Sequence, residues 1–150
     1  MLKVYCVHPI SGMAAEDVFK YYDNIKVELG DMGYDVLTPM YGKDYLRNEI
    51  KMKAGGYDNP LSCNHAIFSR DKWMCLQADV IYASFIGTSI VSIGSMFELA
   101  WGNINNKQVV VAMDEKNIHR HAFVLEAATI VYPTEQEAIG YLQKLVTKSN

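Results

Sequence analysis

Cysteine is scarce and shows no pairing pattern: Cys6, Cys63 and Cys75 make an odd set without a CxxC pair. Small secreted domains stapled by disulfides carry even, regularly spaced sets, so that class is excluded. No apolar run approaches the ~20 residues of a membrane-spanning helix. Met1 to Tyr5 lead directly into an apolar stretch and lack the core and cleavage site of a signal peptide. These absences predict a cytoplasmic protein with reduced thiols and no membrane partner. An excess of positive charge is missing too. Lysine and arginine number 14 against 17 aspartates and glutamates, a net charge of −3, so the basic footprint of a nucleic-acid polymer binder is absent. The chain has neither GxGxxG nor GxxxxGK[ST], which removes the usual support for dinucleotide and P-loop chemistry. His8, His65, His119 and His121 do not combine with Cys63 or Cys75 at zinc-site spacing and read as structural. No metal and no cofactor is expected.

What is present is the composition of one globular domain: 150 residues, 50% hydrophobic and 21% charged, long enough to bury a full core without staples. Leu2–Val7 reads as a strand and 8–12 as a loop. Val18, Tyr22, Ile25, Leu29 and Met32 then recur at steps of four and three, one face of an amphipathic helix stopped by Gly33. Tyr34–Leu37 is a second strand ending before Pro39. Residues 40–63 are polar and irregular, broken by Gly55-Gly56 and Asn59-Pro60, and a connection this long suggests a lid or binding loop. Arg47, Lys51 and Lys53 within it read as solvated, with one available to a lid. Helical spacing returns over His65–Gln77, followed by a strand at Asp79–Phe85, a small-residue loop at 87–94 and a helix from Ser95 to about Asn105. Strands follow at Gln108–Met113 and Thr129–Tyr132 with no element predicted between them. Thr134-Glu135-Gln136-Glu137 forms a capping box that opens a last helix through Val146. This alternation, with nearly all-apolar strands, predicts an α/β fold: a three-layer Rossmann- or flavodoxin-like sandwich around a mostly parallel five-stranded sheet, as a single domain over 1–150.

Ligands of such sheets bind outside the carboxyl ends of the strands. The segment Ser92-Ile93-Gly94-Ser95-Met96-Phe97-Glu98 opens a helix there, where free N–H groups and the positive dipole end suit an anion or a sugar. Glu98 has Gly94, Ser95 and Gly102 as helical neighbours, and Phe97, Ala100 and Ile104 are read as the core stripe, leaving Glu98 over a face clear of bulk except for Trp101. A first-turn glutamate favoured only by the dipole is the plainer alternative. Asp71 shares a stripe with Ile67, Met74 and Ala78. It is either desolvated with a raised pKa, as a general acid requires, or paired with Arg70 or Lys72 on a solvated face. Asp79 falls at the amino end of its strand and reads as a turn or cap residue.

Val4-Tyr5-Cys6, Pro9-Ile10-Ser11-Gly12, Arg70-Asp71, Ala78-Asp79-Val80, Ser92-x-Gly94-Ser95-x-x-Glu98-Leu99-Ala100 and Lys107-Gln108-Val109-Val110 resemble the nucleoside 2-deoxyribosyltransferase family. The likeness runs from residue 2 to about 113, in the family's order. It implies a flavodoxin-like fold, no metal, and homodimers or higher homo-oligomers whose chains complete one another's sites. It also implies a substrate, a nucleoside or nucleoside 5′-monophosphate, and the roles of three residues. Glu98 would attack the anomeric carbon to form a glycosyl-enzyme, Asp71 would protonate the leaving base, and Tyr5 would orient the nucleophile. Ser92, Gly94, Ser95, Ser11, Gly12 and Pro9 would bind substrate. Deoxynucleoside transferases often carry an aspartate six residues before the glutamate, whereas this chain has Ser92. The related nucleoside 5′-monophosphate N-glycosidases are similar to it there, with a serine that can donate to a phosphate. Their usual arginine near Ser11 is absent, leaving Arg120 or His121 as candidate substitutes. The resemblance thus implies transfer of the sugar to another base or to water, with a lean towards the monophosphate. The competing reading is a non-catalytic nucleotide-binding or sensing module on the same fold.

Overall fold

The computed structural model describes residues 1–147. Its elements are β1 (Lys3–Val7), α1 (Ala15–Asp31), β2 (Asp35–Leu37), α2 (Asn64–Gln77), β3 (Val80–Ser84), α3 (Ile93–Ile104), β4 (Gln108–Ala112), α4 (Ala122–Ala127), β5 (Ile130–Tyr132) and α5 (Glu135–Thr147). The five strands form one sheet in the order β2-β1-β3-β4-β5, and every pairing is parallel. This is the flavodoxin-like order, with its switch point between β1 and β3.

Parallel neighbours need a crossover between them. The sequence pattern runs β4 straight into β5; the structure places α4 between them. That helix is invisible in the pattern because six residues are too few to display a helical period. It is capped by His121, whose side chain accepts from the Phe123 N–H.

Because side chains alternate along a strand, the sheet splits the core in two. Val4, Cys6, Val80, Tyr82, Val110 and Ala112 pack against α1 and α5. Tyr5, Val7, Ile81, Ala83, Val109 and Val111 face α2, α3 and α4. Gly33, at φ +98°, ends the α1 region in a conformation that L side chains rarely adopt. At the start of α5 the Glu137 N–H donates to Thr134 Oγ1 at 3.2 Å, and the Thr134 hydroxyl to Glu137 Oε2 at 2.7 Å.

Two further expectations are corrected. The 40–63 segment is not simply a polar loop. It contains a short 3-10 turn at Asp44–Leu46, and Met40, Leu46 and Met52 are buried in the α1-side core. The segment is also tied to the approach of α1: Gly12 N–H donates to Met52 O, Met52 N–H to Met13 O and Ala15 N–H to Ile50 O. In α3, the supposed core stripe is the outer face. Phe97 is 49% and Ile104 77% exposed, and Ala100 is exposed as well. The buried face is Ser95, Glu98, Leu99 and Gly102. Apolar character misled the assignment, since the inward face carries a carboxylate and a glycine.

Candidate active site

Register brings the first pair together. Tyr5 points to the same side of the sheet as α3, and its hydroxyl donates to Glu98 Oε1 at 2.6 Å. Gly102 permits the close approach of that helix: a Cβ there would meet Ile81 Cγ1 at 2.6 Å and Val109 Cγ2 at 3.1 Å. Glu98 is 7% exposed. Burial first, and then the charge of Asp71, push its carboxyl up to about 8, while the Tyr5 hydrogen bond and Lys43 pull the other way. Tyr5 is itself held well above the ordinary phenol range, first by burial and then by Glu98.

Asp71, on α2, is 9% exposed. Of its two readings the structure takes the desolvated one. Burial raises its carboxyl to about 6 against the opposing pull of Lys43 and Arg70, and its Oδ1 is buried without a hydrogen-bond partner. Arg70 instead donates to the Leu61 carbonyl, and Lys72 is exposed. Asp71 and Glu98 open onto one cavity of about 450 Å³, together with His8, Ser11, Lys43, Lys53, Ser92, Gly94 and Ser95. It lies at the carboxyl ends of β1 and β3.

Ser92 is the N-cap of α3: its Oγ accepts from the Ser95 N–H at 3.3 Å and lies 2.8 Å from Ser95 Oγ. The N–H groups of Ile93 and Gly94, in the first turn, have no intrahelical acceptor. A Cβ on Gly94 would meet nothing within 4 Å. Ser11 lines the cavity, but Gly12 and Pro9 do not. The Gly12 N–H is taken by the Met52 carbonyl and Pro9 is buried. Since α1 is capped at Ala14, Ser11-Gly12 lies in the turn before that helix rather than at its N-terminus. Arg120 and His121 are also absent from the cavity wall; Lys53 is the exposed cation that reaches it. Asp79 sits at the opposite edge, where it accepts from the Lys3 N–H at 2.8 Å and ties the start of β3 to that of β1.

One residue went unread in the sequence, and a second was read there only as structural. Lys43, 4% exposed, reaches the cavity from the long connection; burial lowers its ammonium pKa, against the pull of Asp71. No periodicity marks a residue in an irregular segment, and only the Gly42 turn and the flanking Met40 and Leu46 hinted at order there. His119 holds the Ser92 cap in place: its Nε2 accepts the Ser92 N–H at 2.9 Å, its Nδ1 lies 3.1 Å from Asn117 Oδ1, and its ring stacks on Phe85. Burial lowers its pKa and favours the neutral ring. Among the described residues no three His, Cys, Asp or Glu side chains converge as a metal site, and no helix is long and apolar enough to cross a membrane.

No protein-family model and no curated protein matches the chain in sequence. Its fold is shared with solved structures at low identity. A CMP N-glycosidase from Clostridium botulinum is 18% identical with a TM-score of 0.56, over 97% of this chain and 98% of the other. A 2-desoxiribosyltransferase from Leishmania mexicana is 15% identical with a TM-score of 0.62, over 96% and 98%.

Proposed function

We propose that this chain breaks the N-glycosidic bond of a (2′-deoxy)nucleoside or its 5′-monophosphate through a glycosyl-glutamate at Glu98. The observation that carries the reading is the 2.6 Å hydrogen bond from Tyr5 to Glu98, on a buried helix face that shares its cavity with a desolvated Asp71. A Glu98 oxygen attacks the anomeric carbon as its bond to the base breaks. The leaving base takes the bonding pair, and one of its ring nitrogens takes a proton from Asp71. In the return half, the acceptor gives its proton to Asp71 and its lone pair to the anomeric carbon, freeing Glu98 as the carboxylate. Attack requires the pair's single proton to stand on Asp71. At rest the higher value of Glu98, about 8 against about 6 for Asp71, places that proton mainly on Glu98; the Tyr5 hydrogen bond and the positive charge growing on the sugar shift it towards Asp71 as attack begins.

The cap side of the cavity fits the sugar's 5′ end. Ser92, Ser95 and the first-turn N–H groups of α3 offer neutral donors, which an aspartate at position 92 would replace by repulsion of a phosphate. Lys53 adds positive charge at the same cavity. These features support the monophosphate as substrate; the sugar then passes to water or to a second base. The outer face of α3, with Phe97 and Ile104 exposed beside Phe68 and Phe123, supports self-association into a homodimer or higher homo-oligomer.

The test is base release from a panel of nucleosides and 5′-monophosphates, with and without a free acceptor base. Glu98→Ala is expected to lower turnover by at least about 10³-fold, the scale of losing a nucleophile, with the fold retained by circular dichroism. Undiminished base release by that variant would refute the proposal. Calorimetric binding of a monophosphate to the wild-type protein with no base released over hours would assign a sensing module instead.

A further inference from the structure

Lys43 is a charge in the cavity that the reaction above does not use. It is almost wholly buried and lines the cavity with Asp71 and Glu98. The ion pairs among the described residues are Lys3–Asp35, Arg47–Asp23 and Arg47–Asp44, so the Lys43 ammonium has no ion-pair partner, and no hydrogen bond is made by it. Most of its stem is enclosed, but its Nζ opens onto the cavity, where its three donors face whatever occupies it. The charge of Asp71 acts on it more strongly than those of Arg70 and Glu98, and Asp71 Oδ1 has no hydrogen-bond partner. With Asp71 protonated, as the proposed reaction requires at the moment of attack, an ammonium and a carboxylic acid are two donors on the wall of one cavity. Ala54 and Ile67 line the wall with Asp71 and offer apolar surface to a ring.

We propose that Lys43 and protonated Asp71 form a donor pair for the leaving base, selecting bases that present a carbonyl oxygen beside an accepting ring nitrogen and rejecting adenine. The inference rests on the N-glycosidic reading of the site. Guanine, hypoxanthine and cytosine offer two adjacent acceptors; adenine offers an acceptor beside an amino donor, which would face the ammonium donor to donor. As the glycosidic bond breaks and its electron pair moves into the base, Asp71 delivers its proton to the ring nitrogen. Lys43, which stays protonated, holds the negative charge that gathers on the carbonyl oxygen.

The experiment measures kcat/KM for inosine and adenosine, their 5′-monophosphates and 2′-deoxy forms, and the cytidine counterparts, on wild type, Lys43→Met and Lys43→Arg. Wild type is expected to favour the oxo base over adenine by at least about 100-fold, as sites built around a hydrogen bond do. Lys43→Met cuts that preference to below about tenfold by slowing the oxo substrates, and Lys43→Arg keeps most of it. Lys43→Met does not lower Tm, since methionine keeps the buried stem and removes only the charge that opens onto the cavity. A wild type that prefers adenine, or a Lys43→Met variant that slows both classes alike, overturns the inference while leaving the N-glycosidic reading standing. If wild type releases no base at all, that reading falls, and calorimetry with free hypoxanthine and adenine decides Lys43 separately. A preference for hypoxanthine that Lys43→Met abolishes retains the donor pair; equal binding ends it.

Discussion

A carboxyl group taken out of water holds its proton harder, and two of them sharing a cavity hold it harder still. Asp71, raised to about 6, and Glu98, raised to about 8, therefore keep one proton between them near neutrality, and the two values belong to the pair. On the proposed mechanism, below the lower value both carry protons and no nucleophile exists; above the upper one both are ionised and no acid remains. The expected kcat/KM profile is a bell with limbs near pH 6 and pH 8. Tyr5→Phe removes the hydrogen bond that stabilises the Glu98 carboxylate. The carboxyl's pKa rises, so the alkaline limb moves to higher pH by about one unit, and kcat falls about tenfold or more. That follows from the ~1.5–3 kcal/mol of a hydrogen bond to a charged group. A pH–rate comparison in which the alkaline limb stays put would take the orienting role away from Tyr5.

The element that matters most is α3, which delivers Ser92, Ser95 and Glu98 from successive turns of one face. Its depth against the sheet is set by Gly102, under which Ile81 and Val109 leave no room for a methyl group. Alanine is better than glycine in a helix by about 1 kcal/mol, yet overpacking a filled contact loses about 1–3 kcal/mol. Gly102→Ala is therefore expected to be destabilised in urea unfolding and to lose activity as the helix lifts Glu98 away from Tyr5. Gly30, on α1, has nothing within 4 Å of the place a methyl group would occupy, so Gly30→Ala serves as the control that gains helix propensity without a clash. A Gly102→Ala protein as stable and active as wild type would show that the helix–sheet contact has slack.

Over the whole molecule, the apolar residues that look inward in sequence and outward in space have a consequence. Phe97 packs edge-on to Phe68 and against Trp101, with Ile104 and Phe123 exposed further along. Apolar patches of this kind on a helix face mark protein contacts more often than bare surface. Sedimentation velocity is expected to give a dimer or larger species, and the double variant Phe97→Glu with Ile104→Glu a monomer. A wild-type protein that sediments as a monomer at micromolar concentration would end the assembly proposal.

The alternation of apolar strands with periodic helices was enough to determine the doubly wound sandwich, because local patterning and right-handed crossovers leave few other solutions. The N-terminal capping of α5, the stop at Gly33 and the small-residue opening of α3 were legible for the same reason: each is a local rule about backbone groups and φ. Glu98 stood out as a carboxylate in an otherwise apolar and small-residue helix, and Asp71 as one on a stripe with Ile67, Met74 and Ala78. Only the tertiary structure decided which face of α3 turns inward, because its inner face is polar and its outer face apolar, the reverse of the usual pattern. It alone brought Tyr5 onto Glu98 through strand register, left Asp71 unpaired, shut Pro9 and Gly12 out of the cavity, and carried Lys43 in from a segment without periodicity. Those are long-range juxtapositions. Nothing in the spacing of neighbouring residues encodes them, since they depend on how the layers stack and not on how each is wound.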